Sequence, residues 1–275
     1  MSGSEAGAAS VPIARVDDAG AEPCEDRVAR EEPLEIQLGG TSLAVVMRTP
    51  GDDRELALGF LLTERVVGSP EEIASVAHES VAPDAEAAGN VIRVTLAPGV
   101  RVDLEALRRN LYASSSCGVC GKATLDSVLA VSPPLDDPAV FPADFFRALP
   151  GRLRASQAVF DETGGLHAAG LFDADGRLLV VREDVGRHNA VDKVVGWALD
   201  RGRLPLRGHA LMVSGRLSYE IVQKALAARI PALAAVSAPS SLAVDLATRS
   251  EMLLVGFLRG RAFNAYGARS RLAAT

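Results

Sequence analysis

In the second half of the chain the apolar residues switch period repeatedly, from two to about 3.6 and back, and this alternation constrains the fold more than any other feature. A strand is expected over residues 178–182. The helix after it places Val191, Val194, Val195, Ala198 and Leu199 at i, i+3, i+4, i+7 and i+8, a single apolar stripe. Residues 209–213 read as a strand, Ser218 as the cap of a helix carrying Ile221, Val222, Ala225 and Leu226, and 232–236 as the next strand. Ser240 or Ser241 caps a third helix, and 252–257 with 262–266 close the chain as a strand pair around Arg259-Gly260-Arg261. Such alternation predicts a layered α/β domain whose ligands gather beyond strand ends.

The first half mixes the two periods differently. Leu34-Glu35-Ile36-Gln37-Leu38, then Gly39-Gly40, then Ser42-Leu43-Ala44-Val45-Val46-Met47 predict a hairpin. Asp52 and Asp53 can cap a helix carrying Leu58, Leu61 and Leu62; residues 91–96 read as a strand; Asp103 caps a helix with Leu104, Leu107 and Leu111. Pro133-Pro134 and Asp136-Asp137-Pro138 break the chain, and Pro142 starts a short helix with Phe145, Phe146 and Leu149 that Pro150-Gly151 ends. Residues 1–30 mix Ala, Gly, Ser and Pro with acids, show no core-forming period, and are expected to be a disordered tail. The expected organisation is that tail, a smaller N-terminal α+β domain over 31–135 and a C-terminal α/β domain over 151–275, α+β overall.

With 275 residues, 48% of them hydrophobic, the chain can bury one large core or two modest ones. A net charge of -6 and an aromatic fraction of 4% leave little with which to attract or stack nucleic acid. No uninterrupted apolar run reaches the roughly 18 residues of a membrane span, and Met1 leads into small and acidic residues rather than a basic and then apolar leader. Three cysteines, two of them close together, make no disulfide framework. A soluble cytoplasmic protein, without membrane or nucleic-acid partners, is expected.

Two of those cysteines lie in Cys117-Gly118-Val119-Cys120-Gly121, preceded by Ser114-Ser115-Ser116. If Cys117 opens the helix suggested by Leu125, Val128 and Leu129, the i, i+3 spacing puts both sulfurs on one face beside unpaired backbone N–H groups, a setting that favours a thiolate. The pair admits half a zinc site, a dithiol redox switch or a sulfur carrier, and spacing does not choose among them. A structural zinc needs four ligands, which only scattered histidines could complete; a thioredoxin-like pair would follow a strand, whereas this one follows a helix and a serine loop. The flanking glycines and serines suit an exposed loop better than two buried structural cysteines.

Gly164-Gly165-Leu166-His167-Ala168-Ala169 joins a glycine turn to a histidine, and Ala169 stands where a zinc deaminase would carry its proton-shuttling glutamate. Glu183-Asp184-Val185-Gly186-Arg187-His188-Asn189-Ala190-Val191-Asp192-Lys193 is the densest polar run. It reads either as a solvated helix start, capped by Asp184 or Asn189 with Asp192 exposed, or as a junction suited to a polar ligand. Arg249, Arg259, Arg261, Arg269 and Arg271 form a basic C-terminal cluster in an acidic protein. Arg259-Gly260-Arg261 could grip phosphates of a large anion, with Ser214-Gly215-Arg216 adding to that site.

Taken in order with Val255-Gly256-Phe257-Leu258-Arg259-Gly260, these motifs closely resemble those of the formate dehydrogenase accessory sulfurtransferase family (FdhD), from about Glu32 to the C-terminus. The resemblance implies a sulfurtransferase in which Cys117 takes sulfur from a cysteine desulfurase as a persulfide. The sulfur is then delivered to a Mo-bis(molybdopterin guanine dinucleotide) cofactor, or its tungsten counterpart, for formate dehydrogenase. Cys120 would be a helper thiol. The cofactor-binding stretch would fall on Phe257, Leu258, Arg259, Gly260, Arg261 and Ala262, with no permanently bound cofactor or metal. The resemblance also implies homodimers and a C-terminal three-layer αβα domain similar to cytidine deaminases, without their zinc chemistry. The residues through Arg30, with Cys24, have no counterpart in the family pattern. Two other classes remain open: a non-catalytic chaperone that holds the cofactor or the apo-enzyme, and a zinc-dependent nucleoside-modifying enzyme.

Overall fold

A computed structural model describes residues 7–79, 89–104 and 133–273. The helix expected from Asp103 and the Cys117/Cys120 pair therefore lie outside the described residues, apart from the first residues of that helix.

The chain opens with β1 (Ala8–Asp17) and β2 (Gly20–Ala29), an antiparallel ribbon in register from Ala8↔Ala29 to Asp17↔Gly20. This corrects the expected disordered tail. The turn supplies one reason: Gly20 takes a φ of +136° and Asp17 Oδ1 accepts the Ala19 N–H at 2.8 Å. The other is a small apolar anchor at the base, where Ala8 packs with Val159 and Leu166. Beyond that anchor most of the ribbon faces water, so its strands need no apolar alternation and the sequence shows none.

Next come β3 (Glu32–Leu38) and β4 (Thr41–Arg48), joined through Gly39 and Gly40, both at positive φ as a tight hairpin turn requires. With β5 (Ile73–His78) and β6 (Val91–Leu96) they form a four-stranded sheet in the order β4-β3-β6-β5, β3 and β6 being parallel. Helix α1 (Asp53–Thr63) packs on this sheet through Leu56 and Leu61, both fully buried. Its expected cap differs from what is observed. Asp52 occupies the N-cap position in a left-handed conformation without a side-chain cap bond, and Asp53 instead takes both ends of the buried Arg48 guanidinium at 2.9 Å each.

The remaining elements are α2 (Ala143–Arg154), α3 (Ala158–Thr163), β7 (His167–Phe172), β8 (Leu178–Asp184), α4 (Arg187–Asp200), β9 (Ala210–Val213), α5 (Tyr219–Ala227), β10 (Ala232–Ala235), α6 (Ser241–Arg249), β11 (Leu253–Arg259) and β12 (Ala262–Gly267). Their strands make one six-stranded sheet in the order β12-β11-β10-β9-β7-β8, with β9, β10 and β11 parallel. Alternate residues serve two cores. Leu171, Leu211, Leu233 and Leu254 join the core shared with α4, α5 and α6, while Phe172, Met212, Ala234 and Val255 face α2 and Phe141. Both faces of the sheet are covered, and the result is a three-layer αβα unit, as expected.

Helix α2 does not stop at Pro150 as the sequence suggests; it runs on to Arg154. Phe146, Leu149 and Leu153 on one face are all buried, and burial of such side chains, about 1.5–3 kcal/mol each, outweighs the roughly 3 kcal/mol penalty of an internal proline. The stripe on α4 is buried throughout, as predicted. Here α1 and α4 cross with Gly59 against Gly196, so the four-stranded sheet is joined to the six-stranded one through a backbone-to-backbone helix contact.

Candidate functional site at one end of the six-stranded sheet

Strand direction decides where the motifs meet. The parallel strands β9, β10 and β11 all finish at the same end of the sheet. Because β7 runs antiparallel to β9, β8 to β7 and β12 to β11, the start of β7, the end of β8 and the start of β12 lie at that end too. The register pairs His167 with Asp184 and Arg259 with Ala262. His167, Asp184–His188, Ser214–Arg216 and Phe257–Ala262 are thus gathered along one edge, and α4, α5 and α6 point their N-termini toward it. A sheet end of this kind is the usual ligand crevice of open α/β folds.

At the β8–α4 junction the polar run divides into buried supports and accessible groups. Asp184 is fully buried: it accepts Gly186 N–H at 2.8 Å, Asn189 Nδ2 at 2.9 Å and Thr49 N–H at 3.2 Å, and lies 2.7 Å from Lys193 Nζ. Lys193, also buried, donates to the Thr49 carbonyl at 2.9 Å. Asp192 is buried as well, which corrects its expected exposure. It accepts Thr63 Oγ1 at 2.7 Å and pairs with Lys224 at 2.9 Å. Its partners come from α1 and α5, elements remote in sequence, so helical spacing alone places it on a solvent face. None of these groups is available to a ligand; they hold the junction against Thr49 and Thr63.

What remains accessible is Arg187 and His188, with His167 and Gly215 beside them. A Cβ on Gly215 would stand 3.6 Å from the Arg187 side chain and 3.7 Å from His167 Nδ1, which places the three residues together. Ser214 Oγ accepts the Ala168 N–H at 2.9 Å and ties the β9 end to the β7 start. Burial, and then the charges of Arg187 and His188, hold the His167 imidazole below its ordinary pKa against the opposing pull of Asp184, so it favours the neutral form. His188 Nε2 lies 2.8 Å from Glu220 Oε2 on α5. Glu220 escaped sequence reasoning, since only the fold brings α5 alongside the start of α4.

The stretch expected to bind cofactor forms the β11–β12 turn. Phe257 is 44% exposed and adopts a φ of +54° at an irregularity in the β11–β12 register, and Gly260 turns at +57°. Arg259, Gly260, Arg261 and Ala262 are exposed, whereas the Leu258 side chain is buried in the core against α2. Arg259 Nε donates to the Val236 carbonyl at 3.2 Å, fixing the turn to the end of β10. The five C-terminal arginines do not form one patch. Arg259 and Arg261 lie at the site end; Arg249 at the end of α6, and Arg269 and Arg271 beyond β12, lie at the opposite end. Arg271 is buried, donating to the Leu135 and Glu251 carbonyls at 3.1 and 2.8 Å. Cys117 and Cys120 lie outside the described residues. Among the described residues no group of three or more His, Cys, Asp or Glu side chains is placed to hold a metal ion, and no helix is long and apolar enough to cross a membrane.

The FdhD/NarQ family model matches residues 29–273, from the end of the ribbon through β12 and beyond. The chain belongs to the FdhD/NarQ family. The sulfur carrier protein FdhD of Mycolicibacterium paratuberculosis is 56% identical over 246 residues, covering 88% of this chain and 90% of that one. The sulfur carrier protein FdhD of Streptomyces avermitilis is 52% identical over 265 residues, with 95% and 94% covered. A crystal structure described as a candidate formate dehydrogenase accessory protein from Desulfotalea psychrophila superposes with a TM-score of 0.76 at 26% identity, over 97% of this chain and 100% of that one. The FdhD/NarQ chain described here shares its mixed α/β architecture with that structure.

Proposed function

We propose that this chain is a sulfur carrier in formate dehydrogenase maturation, with Cys117 as the carrying thiol. In the first exchange the Cys117 thiolate attacks the outer sulfur of a desulfurase persulfide, the old S–S bond breaks, the desulfurase thiolate leaves, and Cys117 keeps the outer sulfur in a new persulfide. The Cys120 thiolate, as helper thiol, then attacks the inner sulfur of that persulfide, a Cys117–Cys120 disulfide forms as the S–S bond to the outer sulfur breaks, and the outer sulfur leaves at the sulfide level as a ligand for the metal of a Mo-bis(molybdopterin guanine dinucleotide) acceptor. The acceptor is a substrate and its guanine-bearing end rests on the Phe257–Ala262 turn.

One observation carries the reading: every motif of the described residues that resembles the family lies along a single sheet end, toward which three helix N-termini point, a setting suited to a polyanionic ligand. The names of the close relatives support sulfur carriage, and the name of the structural neighbour supports service to formate dehydrogenase. The residues fit such an acceptor, since the turn offers an exposed aromatic ring and two exposed arginines.

Incubation with a cysteine desulfurase and cysteine tests it. Cyanide-releasable sulfur is expected on the wild-type chain and absent from Cys117→Ala, and full retention in that variant refutes the assignment. A chain that binds the cofactor but never loads sulfur would be a chaperone instead.

A further inference from the structure

The ribbon of β1 and β2 is rooted at the site end of the six-stranded sheet. Ala8, at its base, packs with Val159 and Leu166, and Leu166 directly precedes His167 at the start of β7. Ala29, at the base of the other strand, lies 3.2 Å from where a Cβ on Gly165 would stand. Glu183, the neighbour of Asp184, accepts the Val159 and Phe160 N–H groups at 3.0 and 2.8 Å, which ties α3 to the end of β8. Arg27 of the ribbon pairs with Glu162 of α3 at 3.0 Å.

Beyond this base the ribbon is open on both faces, with Pro12 and Val16 exposed on one and Glu22 and Asp26 on the other. Strands of this length, at about 3.4 Å per residue, reach roughly 30 Å. A two-stranded ribbon so exposed is marginal in water by itself, and its outer edges would ordinarily invite a further strand. Pro12 on β1 and Pro23 on β2 each take a backbone donor from the edge of their strand, which disfavours strand addition. A partner therefore meets side chains.

Those side chains have one sign. Between Ala14 and Arg27 the ribbon carries Asp17, Asp18, Glu22, Glu25 and Asp26 against Arg15 alone, and Arg27 itself is engaged by Glu162. Charge of either sign keeps an edge from pairing, so edge protection leaves the excess of acid unexplained. Val16, 73% exposed near the tip, adds an apolar contact point within this charged surface, as protein contacts do.

An acidic arm beside a site for a polyanion does not itself hold the polyanion, since the charges repel. It suits a surface built to take the polyanion over. An enzyme that receives a cofactor with two guanine dinucleotides has to line its entrance with cationic groups for the phosphates, and that entrance meets the carrier at the sheet end from which the ribbon springs.

We propose that the β1–β2 ribbon is a docking arm whose acidic outer half, Asp17 to Asp26, seats on the basic rim of the cofactor entrance of the acceptor apo-enzyme. This rests on the reading of the chain as a sulfur carrier serving formate dehydrogenase. The ribbon lies almost wholly before residue 29, where the family match begins.

Binding of the full chain to immobilised apo-formate dehydrogenase, measured by biolayer interferometry at low and high salt, tests the arm. Asp18→Asn/Glu22→Gln/Asp26→Asn removes three charges and spares the turn bond of Asp17; it should weaken binding about tenfold at low salt, with the difference shrinking at high salt. Asp18→Lys/Asp26→Lys, which reverses the sign and keeps Glu22 opposite Arg15, should weaken it further. In both variants sulfur loading from the desulfurase, read as cyanide-releasable sulfur, should equal that of wild type. Wild-type affinity and salt dependence in the two folded variants overturn the inference. So does a loss of sulfur loading with apo-enzyme binding intact, which would give the arm to the desulfurase. A wild-type chain that does not bind the apo-enzyme overturns the inference and leaves sulfur loading to decide the carrier reading, whereas one that binds but loads no sulfur overturns the carrier reading and not the arm.

Discussion

Gly59 of α1 and Gly196 of α4 face each other where the two helices cross: a Cβ at Gly59 would fall 1.8 Å from the Asp192 carbonyl oxygen, and one at Gly196 would fall 1.8 Å from that of Glu55. Neither obstacle can move as a side chain could, since both are helix backbone. The contact sets how closely the four-stranded sheet approaches the six-stranded one, and with it the placing of Thr49 and Thr63 against the β8–α4 junction.

Gly196→Ala should therefore destabilise the chain although alanine is the better helix former by about 1 kcal/mol. Overpacking of this kind costs about 1–3 kcal/mol and more where backbone is struck. A melting temperature lowered by several degrees is expected for Gly196→Ala and for Gly59→Ala. An unchanged or raised value would mean that the helices separate freely.

The ion pair below that crossing should be unforgiving of single changes. Lys224 is buried, 2.9 Å from Asp192 and 3.0 Å from Glu64. Burial pulls its pKa down, but the two carboxylates outweigh burial and the net shift is upward; Asp192, pushed up by burial, is held in check by Lys224 and Thr63. The pair is read as ionic because the ammonium meets two carboxylates and a hydroxyl. Lys224→Met leaves a buried carboxylate without its counter-charge and should cost about 3–5 kcal/mol in chemical denaturation. The double variant Asp192→Leu/Lys224→Met should recover much of that loss. Additive costs would show that the two side chains are not coupled.

How much of this was readable in the residues alone follows from the range of the forces involved. The α4 stripe, the Gly39-Gly40 hairpin and the succession of strands from β8 to β12 are set by local periodicity, and each is where the sequence puts it, whereas β7 reads only as a glycine turn leading to a histidine. The ribbon was missed because a two-sided exposed strand carries no apolar signal. Pro150 misled because the packing that overrides it comes from Phe141 and the sheet. Asp192 reads as a surface residue until Thr63, 129 positions away, and Lys224, 32 away, are brought to it. The site was legible as a set of motifs, while their meeting at one sheet end depends on strand order, which periodicity does not encode.

His167 gives the stability a defined pH dependence. Its folded pKa is lowered, so between that value and the ordinary 6.5 the unfolded chain binds the proton more readily than the folded one. Stability is complete above 6.5, falls as pH drops toward the folded value, and levels off below it. Urea denaturation across this window should show a shallower slope for His167→Gln than for wild type. Identical slopes would place the titration elsewhere.

Cys24 offers a control for the proposed sulfur-carrying thiol, Cys117. It sits in the ribbon opposite Ile13, and the same face carries Glu22 and Asp26, two residues to either side. An incoming persulfide is anionic, and those carboxylates repel it; nor does the ribbon present a helix start that could draw it in. Cys24→Ser should therefore load as much cyanide-releasable sulfur as wild type, while Cys117→Ala loads none. The reverse pattern, with sulfur lost in Cys24→Ser and kept in Cys117→Ala, would move the carrying thiol into the ribbon.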